Sequence, residues 1–170
     1  MLITARPLRA SGQRGMMLIE SLVSIMIIVL GILGIAGLTA RSVTVAGQAQ
    51  YRTEAGMYAA QIVQLISLKV DRSSPEMLAA TLLEMQHQPS GTVTQCVFSG
   101  SEAGDMDLIN LLSAARGGPQ HVDGLPGAVA AGQQILVNTT GGLNQISVTL
   151  CWKAPHDPAP RNYQIQAYVH

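Results

Sequence analysis

The sequence predicts an α+β fold: a long N-terminal α-helix, half of it transmembrane, packed on a small antiparallel β-sheet head. Three observations predict it. Residues 16–40 form an apolar run in which Glu20 is the one ionisable side chain. Residues 41–70 contain no proline and repeat apolar side chains at helical spacing. Beyond them, runs of alternating polar and apolar residues are separated by glycine- and proline-rich turns.

Residues 1–15 carry Arg6, Arg9 and Arg14 and no acid. The apolar run that follows is long enough to cross a bilayer, because about 20 residues of helix cover the ~30 Å hydrocarbon core. Basic residues before such a span place the N-terminus in the cytoplasm and everything after about residue 40 outside the inner membrane. A secretory signal peptide fits poorly: its apolar region is ~7–15 residues, and Glu20 falls where that region would begin. A carboxylate inside the span costs roughly 2.5–3.5 kcal/mol at the helix centre and less near an end. It requires a partner. Cleavage after Gly15 would supply one, the new amine of Met16.

The stretch Gly15-Met16-Met17-Leu18-Ile19-Glu20-Ser21-Leu22-Val23 resembles the processing signal of type IV prepilins and of type II secretion pseudopilins. The resemblance implies a pilin-like fold and removal of residues 1–15 by a prepilin peptidase. It also implies N-methylation of Met16, and Glu20 pairing with the N-terminus of a neighbouring subunit during assembly. The implied partners are other major or minor pilins through the N-terminal helix, the prepilin peptidase, the inner membrane and the pilus assembly platform. The implied location is the inner membrane before assembly, with a periplasmic head, and the pilus or cell surface after it. Ile32-Leu33-Gly34-Ile35-Ala36-Gly37-Leu38, Leu125-Pro126-Gly127 and Val148-Thr149-Leu150-Cys151-Trp152 resemble the minor pilins of the type IV pilus modification (PilV) type. A type II secretion minor pseudopilin, or a signal-anchored periplasmic domain that never polymerises, are the alternatives.

The second half of the helix, residues 41–70, is amphipathic. Val45, Ala49, Ala55, Tyr58, Ala59, Ile62, Val63, Leu65 and Ile66 fall three, four or seven apart, which places a stripe on one face. One helix over residues 17–69 would be roughly 80 Å long; Gly47 is where a break would fall. Gly31, Gly34 and Gly37 recur every third residue, not every fourth as in the strong close-packing motif of membrane helices.

The head occupies residues 71–170. Ser73-Ser74-Pro75-Glu76 is a helix start, with a serine cap, proline at the first turn and an acid beside it. That helix is predicted over residues 75–87, ending before Pro89. Residues 92–99 read as a strand with Val93, Val97 and Phe98. A second short helix spans residues 105–116, capped by Asp105 and stopped at Gly117-Gly118-Pro119. Residues 132–138 and 144–152 form a hairpin turning at Gly141-Gly142. A last strand covers residues 162–169, where Tyr163, Ile165, Ala167 and Val169 alternate with polar partners.

Cys96 and Cys151 are the two cysteines of the chain. In an oxidising periplasm they are candidates for a disulfide across the sheet, closing a loop worth about 4 kcal/mol on the chain-entropy model. Their distance from His87, His121, His156 and His170 gives no zinc spacing. Asp105 and Asp107 lack the glycine and closing glutamate of a calcium loop, so no metal and no cofactor are expected. Phosphate loops, nucleophile elbows and zinc-protease motifs are absent from the sequence, and the expectation is a protein that is not an enzyme. Removing the three leader arginines from ten basic residues leaves seven against ten acids. That mild net charge of −3 argues against a nucleic-acid partner, which needs a clustered basic face.

Overall fold

A computed structural model describes residues 14–117, 124–155 and 157–170, with side chains from residue 16 onward. The predicted leader up to residue 13, Gly118-Pro119, His121 and His156 lie outside the described residues. The chain divides into two compact units, Met1–Ala46 and Gly47–His170.

The first helix, α1, runs Arg14–Lys69 without a break at Gly47. Nothing in residues 14–69 removes a helical hydrogen bond, since the stretch has no proline. In the first unit every described side chain from residue 16 to 46 is exposed. This is one helix long and apolar enough to cross a membrane.

In the second unit the end of α1 turns amphipathic. Ala55, Ala59, Ile62 and Ile66 are completely buried, at spacings of four, three and four, and Val70 continues their row past the helix end. The predicted stripe therefore begins at Ala55; Val45 and Ala49 are exposed. Helix α2, Pro75–Glu84, starts as its sequence dictates: the Ser74 hydroxyl accepts from the Met77 N–H at 3.2 Å, with proline in the first turn. It ends a turn earlier than residue 87, capped at Met85. The physical reason is tertiary. His87 leaves the helix to exchange both backbone hydrogen bonds with Ile135, at 3.0 and 2.9 Å, and Gln88 takes a positive φ of 47° ahead of Pro89.

Residues 92–99 do not form one strand. They fold as a tight hairpin, with β1 (Ser90–Thr92) paired to β2 (Val97–Ser99) and a turn over residues 93–96. Helix α3 covers Met106–Arg116; Asp105 caps it by accepting from the Leu108 N–H at 2.9 Å. Strands β3 (Gln133–Asn138), β4 (Gln145–Trp152) and β5 (Arg161–Tyr168) form an antiparallel sheet in the order β3-β4-β5, in agreement with the predicted hairpin and last strand.

The register assigns the two faces of this sheet. Ile135, Val148 and Ile165 lie side by side, as do Gln133, Leu150 and Tyr163. This face carries Ile146, Val148, Leu150 and Trp152 and packs with Ala55–Ile66 of α1, Leu78 and Leu82 of α2, and Leu108 and Leu112 of α3 in one core. The opposite face is covered at one end, where the hairpin places Phe98 and Cys96 against Cys151. Two buried amides lock the layers. Gln133 donates to the Leu112 carbonyl at 2.7 Å on the helix side, and Gln134 donates to the Gln88 carbonyl at 3.1 Å on the other. Buried amides without such partners would cost about 1–3 kcal/mol each.

Candidate functional site

The residues singled out at the N-terminal end all lie on the first unit's helix. Gly15 and Met16 fall in its opening turn, and Glu20 sits one turn further on, exposed among exposed apolar neighbours. The other polar side chains of the span are already satisfied. Ser21 donates to the Met17 carbonyl and Ser24 to the Glu20 carbonyl, both at 2.8 Å, and Thr39 donates to the Ala36 carbonyl at 2.9 Å. A hydroxyl bonded back to its own helix is cheap to place in lipid. Among the described side chains of residues 16–40, Glu20 is the one ionisable group. Gly31, Gly34 and Gly37 have open space where a Cβ would stand, so their place in this helix is set by nothing within it.

In the second unit the predicted cysteine pair is joined. Cys96 and Cys151 form a disulfide with a Cα–Cα distance of 5.9 Å across a sequence separation of 55. Its setting differs from the expected pairing of two strands. Cys96 occupies the last turn position of the β1–β2 hairpin at φ +53°, while Cys151 belongs to the central strand β4. The bond staples the hairpin onto the sheet.

The acid pair at the start of α3 also has a partner that the sequence did not disclose. Lys69, in the last turn of α1, donates to Asp105 at 2.6 Å and also to Asp107. These hydrogen bonds raise the Lys69 ammonium above its ordinary value, Asp105 contributing most. The Asp105 carboxyl is held low, first by Lys69 and then by the Leu108 amide. Ion pairing plus helix capping thus accounts for both aspartates. Among the described residues no group of three or more histidines, cysteines, aspartates or glutamates is arranged to hold a metal.

Leu125-Pro126-Gly127 is a structural joint. Leu125 is buried, and its N–H donates to the Ala115 carbonyl at 2.9 Å at the end of α3. Lys153 donates to the Pro126 carbonyl at 2.9 Å. Gly127 has φ +60°, and a Cβ there would stand 2.4 Å from the Lys153 carbonyl oxygen, so glycine is required. The sequence also held no hint that His87 is buried. Its Nδ1 accepts from the Ala103 N–H at 3.3 Å, and burial, the largest influence, pushes the imidazole below its ordinary value. A lone histidine two residues before a proline gave no signal for this role.

Searches of family models, curated proteins and solved structures return no match for this chain.

Proposed function

We propose that the chain is a minor-pilin-like subunit, cleaved after Gly15, methylated at Met16 and assembled through its N-terminal helix into a filament or its initiating complex. The observation that carries this reading is Glu20. It lies four residues after Met16, exposed, on a helical segment whose other described side chains through residue 40 are uncharged. Burying that carboxylate among neighbouring helices demands a cation at the same depth, and the freed amine of a neighbouring Met16 meets the demand. Support also comes from the self-satisfied hydroxyls of Ser21, Ser24 and Thr39, which leave the segment suited to an apolar environment. The disulfide between Cys96 and Cys151 agrees with a second unit that folds outside the cytoplasm.

The decisive experiment is mass spectrometry of the mature N-terminus in cells with and without a prepilin peptidase. A chain beginning at N-methylated Met16 only when the peptidase is present supports the proposal. An intact leader in both strains leaves a signal-anchored protein and ends it.

A further inference from the structure

The second unit has two unlike ends. Strand β5 runs beside the later turns of α1, and three contacts fix its direction. Before the strand, Asp157 accepts from Gln48 at 3.5 Å. Within it, the Tyr163 ring stands 3.4 Å from where a Cβ on Gly56 would be. Beyond it, Arg72 donates to the His170 carbonyl at 2.9 Å. One end is therefore made by the first turns of the unit and the connection from β4 to β5. The loop over residues 126–130 joins it there, since the Lys153 N–H donates to the Pro126 carbonyl at 2.9 Å. The opposite end is made by the last turn of α1 and the starts of α2 and α3.

The ends differ in charge. At the second, Asp71, Glu76, Asp105 and Asp107 outnumber Lys69 and Arg72. At the first, Arg52, four residues past Gln48, and Lys153 are exposed, and among the described residues no acid pairs with either. Glu54, the nearest acid along α1, lies about 200° around the helix from Arg52 and accepts from Gln50 at 2.8 Å. Arg161 is exposed as well, whereas Asp157, which accepts from it at 2.9 and 3.1 Å, is buried. Between these last two cations of the chain the surface is apolar: Pro155, Pro158, Ala159 and Pro160 are all exposed, and Val129 is exposed on the neighbouring loop. The prolines have no N–H that would need water.

We infer that the end carrying Arg52, Lys153 and Arg161 docks on anionic headgroups of the bilayer that residues 16–40 cross. The inference rests on the membrane-spanning part of the proposed function and is independent of processing and assembly. The chain itself names the occupant. Gly47 opens the second unit, seven residues after Ala40 closes the apolar run, and even a fully extended tether of that length reaches only about 25 Å. The end that begins at Gly47 is thus held at a high effective concentration of lipid. Its chemistry matches that surface, with cations for the lipid phosphates and proline, alanine and valine side chains for the interfacial zone. The acidic opposite end is repelled by the same lipids, so charge selects which end docks.

The test uses the full-length protein reconstituted in vesicles of phosphatidylcholine alone and of an equimolar mixture with phosphatidylglycerol. Trp152 is the one tryptophan of the chain. It adjoins Lys153 and reports docking by energy transfer to dansyl-labelled lipid headgroups. Transfer is expected to be greater in the mixed vesicles and to fall to the neutral-lipid level in molar salt, where the screening length shrinks to about 3 Å. The double variant Arg52→Ala/Lys153→Ala is expected to lower the docked-to-free ratio by about 30-fold, and Arg52→Lys/Lys153→Arg to keep it. Both positions are exposed, and unchanged circular dichroism verifies that the variants stay folded. Equal transfer in the two kinds of vesicle, or undiminished transfer in the alanine variant, overturns the inference and leaves the membrane span standing. A chain that floats with neither vesicle on a density gradient overturns the span and the inference together.

Discussion

At the scale of single residues, two titratable side chains define the behaviour of the two units. Glu20 is expected to matter for assembly and not for insertion. Replacing it with alanine removes a cost of roughly 2–3 kcal/mol from membrane partitioning, so Glu20→Ala should insert as well as the natural chain or better. On the proposed function it should be depleted from sheared filaments; quantitative immunoblotting of membrane and filament fractions measures both. His87 governs pH dependence instead. Its Nδ1 faces the Ala103 N–H, so protonation there sets donor against donor. Burial lowers its affinity for a proton, Glu102 partly opposes this, and Arg116 adds to it. With the folded value below the unfolded value of about 6.5, the unfolded chain binds more protons between the two. Stability should be level above about pH 7 and fall as the pH drops through about 6.5 toward the folded value. His87→Gln, whose amide oxygen can still accept from Ala103, should flatten that decline. Urea unfolding midpoints between pH 5 and 8 test it.

At the scale of elements, the disulfide is the joint with the most to lose. The β1–β2 hairpin has three-residue strands, too little to stand alone in water. Phe98, Cys96 and Cys151 are what hold it to the sheet. The double variant Cys96→Ala/Cys151→Ala should lose about 4 kcal/mol on the chain-entropy model for a separation of 55. Amide exchange should quicken first across residues 90–99, and a hydrogen-exchange map would show it. The same region marks where the sequence stopped being legible. Local chemistry wrote out α1 through its freedom from proline, α2 through Ser74 and Pro75, α3 through Asp105, and the β3–β4 hairpin through Gly141-Gly142. Residues 92–99 misled because Val93, Val97 and Phe98 have strand propensity, whereas the conformation of Cys96 is imposed by a partner 55 residues away. The end of α2 misled for the same kind of reason: nothing local stops a helix before residue 87, but Ile135 captures His87. The pairing of Lys69 with Asp105 and Asp107 was illegible too, since no short-range pattern connects residues 36 and 38 apart.

At the scale of the whole molecule, one helix carries two kinds of surface. Residues 16–46 of α1 are exposed and largely apolar, and in its later turns Ala55, Ala59, Ile62 and Ile66 are interior residues of the second unit. Sequence reading separates the same two regimes by pattern alone, apolar all round and then striped. The point where the stripe becomes core, Ala55, emerged only from packing. A fragment beginning at residue 47 should therefore be soluble and cooperatively folded, because it retains the entire core. One beginning at residue 71 should aggregate, and size-exclusion chromatography with thermal melting of the two would separate the outcomes.

That shared helix also sets the fate of the protein under proteolysis. A protease that severs the chain anywhere in residues 55–69 does not release an intact second unit: it tears a wall from the interior, and the remainder should unravel. Only the turns before Ala55, where no side chain is fully buried, offer a cut that sheds a folded piece. Turnover of this chain should thus be all or nothing, with either one stable shed fragment or none.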